Sequence, residues 1–129
     1  MLANPGPRVL CVDDDEDSSE MLSLLLKFWR IETRTVGTAA QALSLSQTER
    51  FDLYLLDSRL PDLDGFELCR RMRDFDPDTP ILFFSGAAYE ADKKRGIEAG
   101  ANAYVAKPDV DGVLESIKHF VSHSTGLAS

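Results

Sequence analysis

The stretch Arg8-Val9-Leu10-Cys11-Val12-Asp13-Asp14-Asp15-Glu16-Asp17, RVLCVDDDED, sets a short apolar run directly against five consecutive acids. The apolar part is a strand candidate, and the acids mark where the chain leaves it. Asp17, with Glu20 three residues on, has the spacing of a helix capping box, so a helix is expected to start there. Leu22, Leu25, Leu26 and Trp29 follow at helical spacing and would form its buried stripe.

The same alternation repeats along the chain. Thr33 to Val36 makes a second strand of polar, edge-like composition, and Thr38 caps a helix running to about Glu49. Asp52 to Leu56 (DLYLL) reads as the third and central strand, because near-continuous apolar residues imply burial on both faces. The loop SRLPDLDG leads to a helix of about Phe66 to Arg73 that would bury Phe66, Cys69 and Met72. Pro77 and Pro80 bracket the return to a fourth strand, Ile81 to Phe84. A helix from about Tyr89 to Ala99 follows, with Gly100 as its stop. Ala103 to Ala106 is strand five, and Asp109 to about Ser122 is a last helix with Val113, Leu114, Ile117, Phe120 and Val121 apolar. Five strand–helix pairs predict an α/β, flavodoxin-like, doubly wound fold: a five-stranded parallel sheet of order 2-1-3-4-5 with helices on both faces.

At 129 residues, 43% hydrophobic and 28% charged, the chain fits a single domain, its core at about 7–122 between short flexible tails. A net charge of −8 argues against direct nucleic-acid binding, which needs a surplus of Lys and Arg on one face. The N-terminal MLANPGPR has no apolar signal core, and the greasy stretch Met21 to Trp29 is interrupted by Ser23 and Lys27 and too short for a bilayer. A cytoplasmic protein without membrane attachment is expected. Cys11 and Cys69 lack C-x-x-C spacing and read as small buried hydrophobes.

The chemistry lies at the strand ends. Asp13 and Asp14 close strand one, Asp57 strand three, Ser85 strand four and Lys107 strand five. In open α/β sheets ligands bind beyond the carboxyl ends of the strands, where strand order reverses, here between strands one and three. Three carboxylates crowded together repel one another and resist full ionisation unless a divalent cation compensates them. Hard oxygen ligands suit Mg²⁺ (or Mn²⁺), which takes one or two carboxylates plus phosphate oxygen. A carboxylate so placed can attack phosphorus to give an aspartyl phosphate, with a lysine and a hydroxyl holding the transferred oxygens. Asp15 and Glu16 read as solvated loop charges.

VDDDED, DLYLLDSRLPDLDGFEL, PILFFSGA and GANAYVAKP together resemble the receiver domain of two-component response regulators, over about residues 7 to 122. The resemblance implies a phosphoacceptor signalling switch of a two-component system or phosphorelay, with Asp57 as phosphoacceptor. Asp13 and Asp14 would serve Mg²⁺, completed by Asp57 and the main-chain carbonyl of Arg59. Ser85 matches the switch hydroxyl, Lys107 the phosphoryl-contacting lysine and Tyr104 the aromatic switch, whose ring follows inward when the hydroxyl closes on the phosphoryl group. Lys107-Pro108 is similar to the family's cis peptide. A sensor histidine kinase or histidine phosphotransfer protein is the implied donor, a target would read the face of the fourth helix, fifth strand and fifth helix, and a phosphorylation-dependent dimer is compatible with the reading. Such a chain is no turnover enzyme, but catalyses its own phosphorylation and autodephosphorylation.

Two positions depart from the family pattern. Gly86 stands where Ala usually follows the hydroxyl residue, which implies a looser loop, and Arg59 sits two positions past Asp57, where its side chain would lie over the site and alter water access to the acyl phosphate, changing its lifetime. Other readings fit less well. A phosphohydrolase of the haloacid dehalogenase type would place its nucleophile after the first strand. A pseudo-receiver would not need Asp57 and Lys107. An EF-hand loop from Asp13 would need Gly and Glu where the chain has Ser18 and Leu24. His119 and His123, one helical turn apart, read as part of an exposed terminal turn rather than a metal site, and the Arg70, Arg71, Arg73 and Lys93, Lys94, Arg95 clusters as solvated helix faces. After Pro108 there is room for one helix and a tail, so no output domain is expected, and the chain reads as a stand-alone receiver or one cut from a larger regulator or hybrid kinase.

Overall fold

In the computed structural model, which describes residues 6–124, strands and helices alternate from one end to the other. They are β1 (Arg8–Val12), α1 (Glu16–Phe28), β2 (Glu32–Val36), α2 (Ala39–Thr48), β3 (Leu53–Leu56), α3 (Gly65–Phe75), β4 (Ile81–Ser85), α4 (Glu90–Ala99), β5 (Ala103–Ala106) and α5 (Val110–Ser124). The expected tails and the side chain of His123 lie outside the described residues. All neighbouring strands are parallel, in the expected order β2-β1-β3-β4-β5.

Two-residue periodicity divides the core. Leu10, Val12, Tyr54, Leu56, Ile81 and Phe83 point to one face, under α2, α3 and α4. Val9, Cys11, Leu53, Leu55, Leu82 and Phe84 point to the other, under α1 and α5. Both sets are buried, which is why the three central strands read as continuous apolar runs. The edge strand β2 has no buried residue, only exposed and half-buried ones, in keeping with its polar composition.

Local chemistry sets the helix ends. Thr38 caps α2 by accepting from Gln41 N, and Gly100 ends α4 with φ of 117°, the left-handed region glycine tolerates. Gly65 opens α3 because the main chain passes close by: a Cβ there would stand 2.2 Å from the carbonyl oxygen of Asp57.

Some expectations fail. Asp15, rather than Asp17, caps α1, accepting from Asp17 N; Glu16 and Asp17 occupy the first turn, where the helix dipole favours acids. Leu22 and Leu26 are buried, but Leu25 is only half-buried and Trp29 is 51% exposed. Trp29 is the C-cap, already past the last helical turn, and its ring lies outside under Lys118, whose Nζ is 3.3 Å from the ring centroid. Arg73 is not a solvated charge. Its guanidinium donates to the carbonyls of Gly100 and Thr79 and to Asn102 Oδ1, tying α3 to the end of α4 and the start of β4. Arg95 pairs with Asp64 and lies over the Phe66 ring. Arg70 and Arg71 both pair with Glu67, and Lys94 is exposed.

Candidate functional site

The sheet ladder itself places the reactive groups. Asp13 N donates to Val36 O, Asp57 N to Val12 O and Lys107 N to Ser85 O, so each residue continues its strand's pairing one step beyond the strand end. Three side chains therefore start from fixed backbone at the same edge of the sheet. Asp13, Asp14 and Asp57 each bring a carboxylate oxygen into one group, all within 4.8 Å of one another.

Lys107 spans two of them. Its Nζ lies 2.8 Å from Asp13 Oδ2 and 3.4 Å from Asp57 Oδ2. Asp13 is buried, and its second oxygen accepts from Asp15 N at 2.9 Å. Burial pushes the Asp13 carboxyl above the usual carboxylate range, against the pull of Lys107 and the Asp15 N–H. Burial would lower the Lys107 ammonium, but the Asp13 hydrogen bond and the Asp57 charge outweigh it, and its pKa is raised. One ammonium among three carboxylates leaves an excess of negative charge, and an all-oxygen donor set of this size fits a hard divalent cation.

A cleft of about 400 Å³ opens beside Asp57, lined by Arg59, Ser85, Gly86, Ala87, Tyr89 and Asp92. Arg59 is exposed there, and among the described residues its guanidinium has no hydrogen-bond or ionic partner. Gly86 faces open space; nothing lies within 4 Å of where its Cβ would be. Ser85 is buried, and its Oγ accepts from Ala87 N at 3.1 Å.

Tyr104 sits close by, on β5. Its ring stacks on Phe83 at 5.2 Å and on Phe66 at 6.4 Å between centroids, and its hydroxyl donates to the Ala87 carbonyl. The ring expected to move inward on phosphorylation thus already lies against the core. The Lys107-Pro108 peptide is cis. Cys11 and Cys69 are buried and free, and burial pushes their thiols up, to about 12 and about 11.

Two polar residues escaped the sequence reading. Ser58 is buried with its Oγ 2.6 Å from Ser85 Oγ; only its place next to Asp57 could have singled it out. Asp62 accepts from the Ala39 and Ala40 N–H groups, pinning the β3–α3 loop to the start of α2. Those backbone donors hold its carboxyl below the usual range. Asp62 lies in a Pro-Asp-Leu-Asp run that reads equally well as turn chemistry. Among the described residues no helix is long and apolar enough to cross a membrane.

The chain resembles known proteins in sequence and in fold. The cell cycle response regulator CtrA of Brucella ovis is 35% identical over 122 residues, which cover 94% of this chain and 53% of the relative. The chain thus spans about half the length of the curated relatives it matches. A CheY-like response regulator receiver domain protein from Methanospirillum hungatei superposes with a TM-score of 0.87 at 30% identity, covering 94% of this chain and 98% of that one. The non-phosphorylated HemR receiver domain of Leptospira biflexa gives 0.83 at 33% identity, covering 90% and 94%. Residues 9–118 match the model of the response regulator receiver domain, which takes in every strand end that carries an acid, the serine or the lysine, and the chain belongs to that family, the receiver domains of two-component signalling.

Proposed function

We propose that this chain is a phosphorylation-controlled switch that accepts a phosphoryl group on Asp57 from a sensor histidine kinase or a histidine phosphotransfer protein. The observation that carries the reading is the grouping of Asp13, Asp14 and Asp57 at the carboxyl edge of the sheet, with Lys107 reaching Asp13 and Asp57. An Asp57 carboxylate oxygen attacks phosphorus. The new O–P bond forms as the P–N bond of the donor phosphohistidine breaks, and the electron pair stays on the imidazole nitrogen. Asp13, Asp14, Asp57 and the Arg59 carbonyl would hold Mg²⁺ or Mn²⁺, which when bound neutralises charge on the phosphoryl oxygens.

Lys107 holds one phosphoryl oxygen as a point charge, exchanging its Asp57 contact for it. Ser85 donates to another, drawing in the β4–α4 loop. The phosphoryl group shifts an existing equilibrium by its differential contacts with the two forms. A target then reads the face of α4, β5 and α5, on which a dimer formed on phosphorylation would also lie. Arg59 stands over the cleft as a screen against water, setting the lifetime of the acyl phosphate; Arg59→Asn with an unchanged dephosphorylation rate would remove that role. The residues form one receiver unit acting in the cytoplasm, without enzymatic turnover of a second substrate.

Intact mass after incubation with Mg²⁺ and acetyl phosphate tests the reading. A gain of about 80 Da in the wild type and none in Asp57→Asn supports an acyl phosphate at Asp57. No gain, with no response to beryllofluoride, would leave a receiver that works without phosphorylation.

A further inference from the structure

Ser58 follows Asp57 directly and has no part in the chemistry above. Ser58 is 4% exposed, and Ser85, its partner across the β3–β4 junction, is 1% exposed. Their Oγ atoms lie 2.6 Å apart, and Ser85 Oγ also accepts from the Ala87 N–H at 3.1 Å.

A serine hydroxyl has one proton to give and lone pairs that accept. Among the described residues Ser58 Oγ meets one hydrogen-bond partner, Ser85 Oγ. If Ser85 donated to Ser58, the Ser58 proton would be left in the buried interior with nowhere to go. If Ser58 donates, Ser85 Oγ accepts from Ser58 and from Ala87, and its own proton is left over. Ser85 lines the cleft beside Asp57, whereas Ser58 does not. The second arrangement therefore satisfies the buried hydroxyl and turns the Ser85 proton toward the cleft. Hydrogen bonds in such a chain also polarise one another, so a Ser85 that accepts twice is a stronger donor.

We propose that Ser58 is a positioning residue. By donating to Ser85 Oγ it fixes the hydroxyl rotor, so that the Ser85 proton meets the oxygens of a phosphoryl group, or of a phosphoryl analogue, carried on Asp57. This rests on the phosphoacceptor reading of Asp57 given above.

The test is the affinity for beryllofluoride in the presence of Mg²⁺, measured by titration calorimetry on the wild type, Ser58→Ala, Ser58→Thr, Ser85→Ala and the double alanine variant, with thermal unfolding of each as a check on folding. Loss of one positioned hydrogen bond predicts binding about three- to tenfold weaker in Ser58→Ala. Ser58→Thr, which keeps the hydroxyl, restores it. In the Ser85→Ala background, Ser58→Ala adds nothing, because the proton it directs is gone. Should Ser58→Ala prove unstable, Ser58→Cys, of similar size and a weak donor, must still bind less tightly than Ser58→Thr. Unchanged or tighter binding in a folded Ser58→Ala overturns the proposal, and so does an equal loss in the Ser85→Ala background, which would mean that Ser58 acts through packing. A wild type that does not respond to beryllofluoride defeats the phosphoacceptor reading itself, and this inference with it.

Discussion

The Cβ that Gly96 lacks would stand 2.7 Å from Cδ2 of Tyr104. Glycine inside α4 is unfavourable by about 1 kcal/mol relative to alanine, and the close approach is its reason: it leaves a seat for the ring. Gly96→Ala gains that helix propensity and forfeits a stack worth about 0.5–1.5 kcal/mol. Tyr104 should therefore swing outward at a net cost of about 1 kcal/mol, because its stack on Phe66 and its hydrogen bond to the Ala87 carbonyl are lost as well. Loss of the Tyr104–Phe83 contact in the NMR spectrum would show it; a ring still stacked on Phe83 would refute it.

Lys107→Ala removes the one ammonium from the acid cluster. Without metal the chain should be less stable, because buried Asp13 loses its 2.8 Å partner. Mg²⁺ should bind about tenfold more tightly, since the competing cation is gone, equivalent to about 1.4 kcal/mol. Labelling by acetyl phosphate should slow at the same time. Calorimetry and intact mass read the two effects separately, and weaker Mg²⁺ binding would count against the site.

Tyr54, 2% exposed, donates to Asp76 Oδ2 at 2.8 Å, and Asp76 Oδ1 accepts from Thr79 N. Asp76→Ala strands the phenol and should cost about 1–3 kcal/mol, part of it recovered by adding Tyr54→Phe. Partial burial raises the Asp76 carboxyl, but hydrogen bonds from Thr79 and Tyr54 outweigh it and hold it below the usual range. A depressed folded pKa means stability that is present above the unfolded value of about 3.9 and lost as pH falls through the folded one. Denaturant midpoints measured downward from about pH 4 should fall more steeply in the wild type than in Asp76→Ala.

On α1, Leu22→Ala should cost about 2–5 kcal/mol, because Leu22 is buried against the sheet. Phe28→Ser should lie within about 0.5 kcal/mol of wild type, because Phe28 is 85% exposed. Urea unfolding of the two variants decides it, and a large loss in Phe28→Ser would contradict the described face of the helix.

Much of the site could be read from spacing, since each reactive residue ends a strand whose apolar run can be seen by itself. DLYLL announces Asp57, ILFF announces Ser85 and AYVA announces Lys107. Capping was harder. Asp15 and Asp17 are both acids before a helix, and only backbone geometry picked Asp15. The contacts that were missed join residues far apart in the chain: Ser58 with Ser85, Asp62 with Ala39 and Arg73 with Gly100. Nothing in the local pattern of either partner marks such a pair.

Periodicity and strand-end chemistry, which are local, determined the parallel α/β architecture, the edge position of β2, the burial of both cysteines and the gathering of the strand-end carboxylates and Lys107 at one edge of the sheet. They do so because a two-sided apolar strand has one stable environment, and a residue that ends such a strand has one place to go. Packing decided the rest: the inward seat of Tyr104 beside Gly96, the outward turn of Trp29 and the coupling of Ser58 to Ser85. Each depends on the shape of a neighbour brought in from elsewhere in the chain, and that shape exists only once the sheet and its helices have come together.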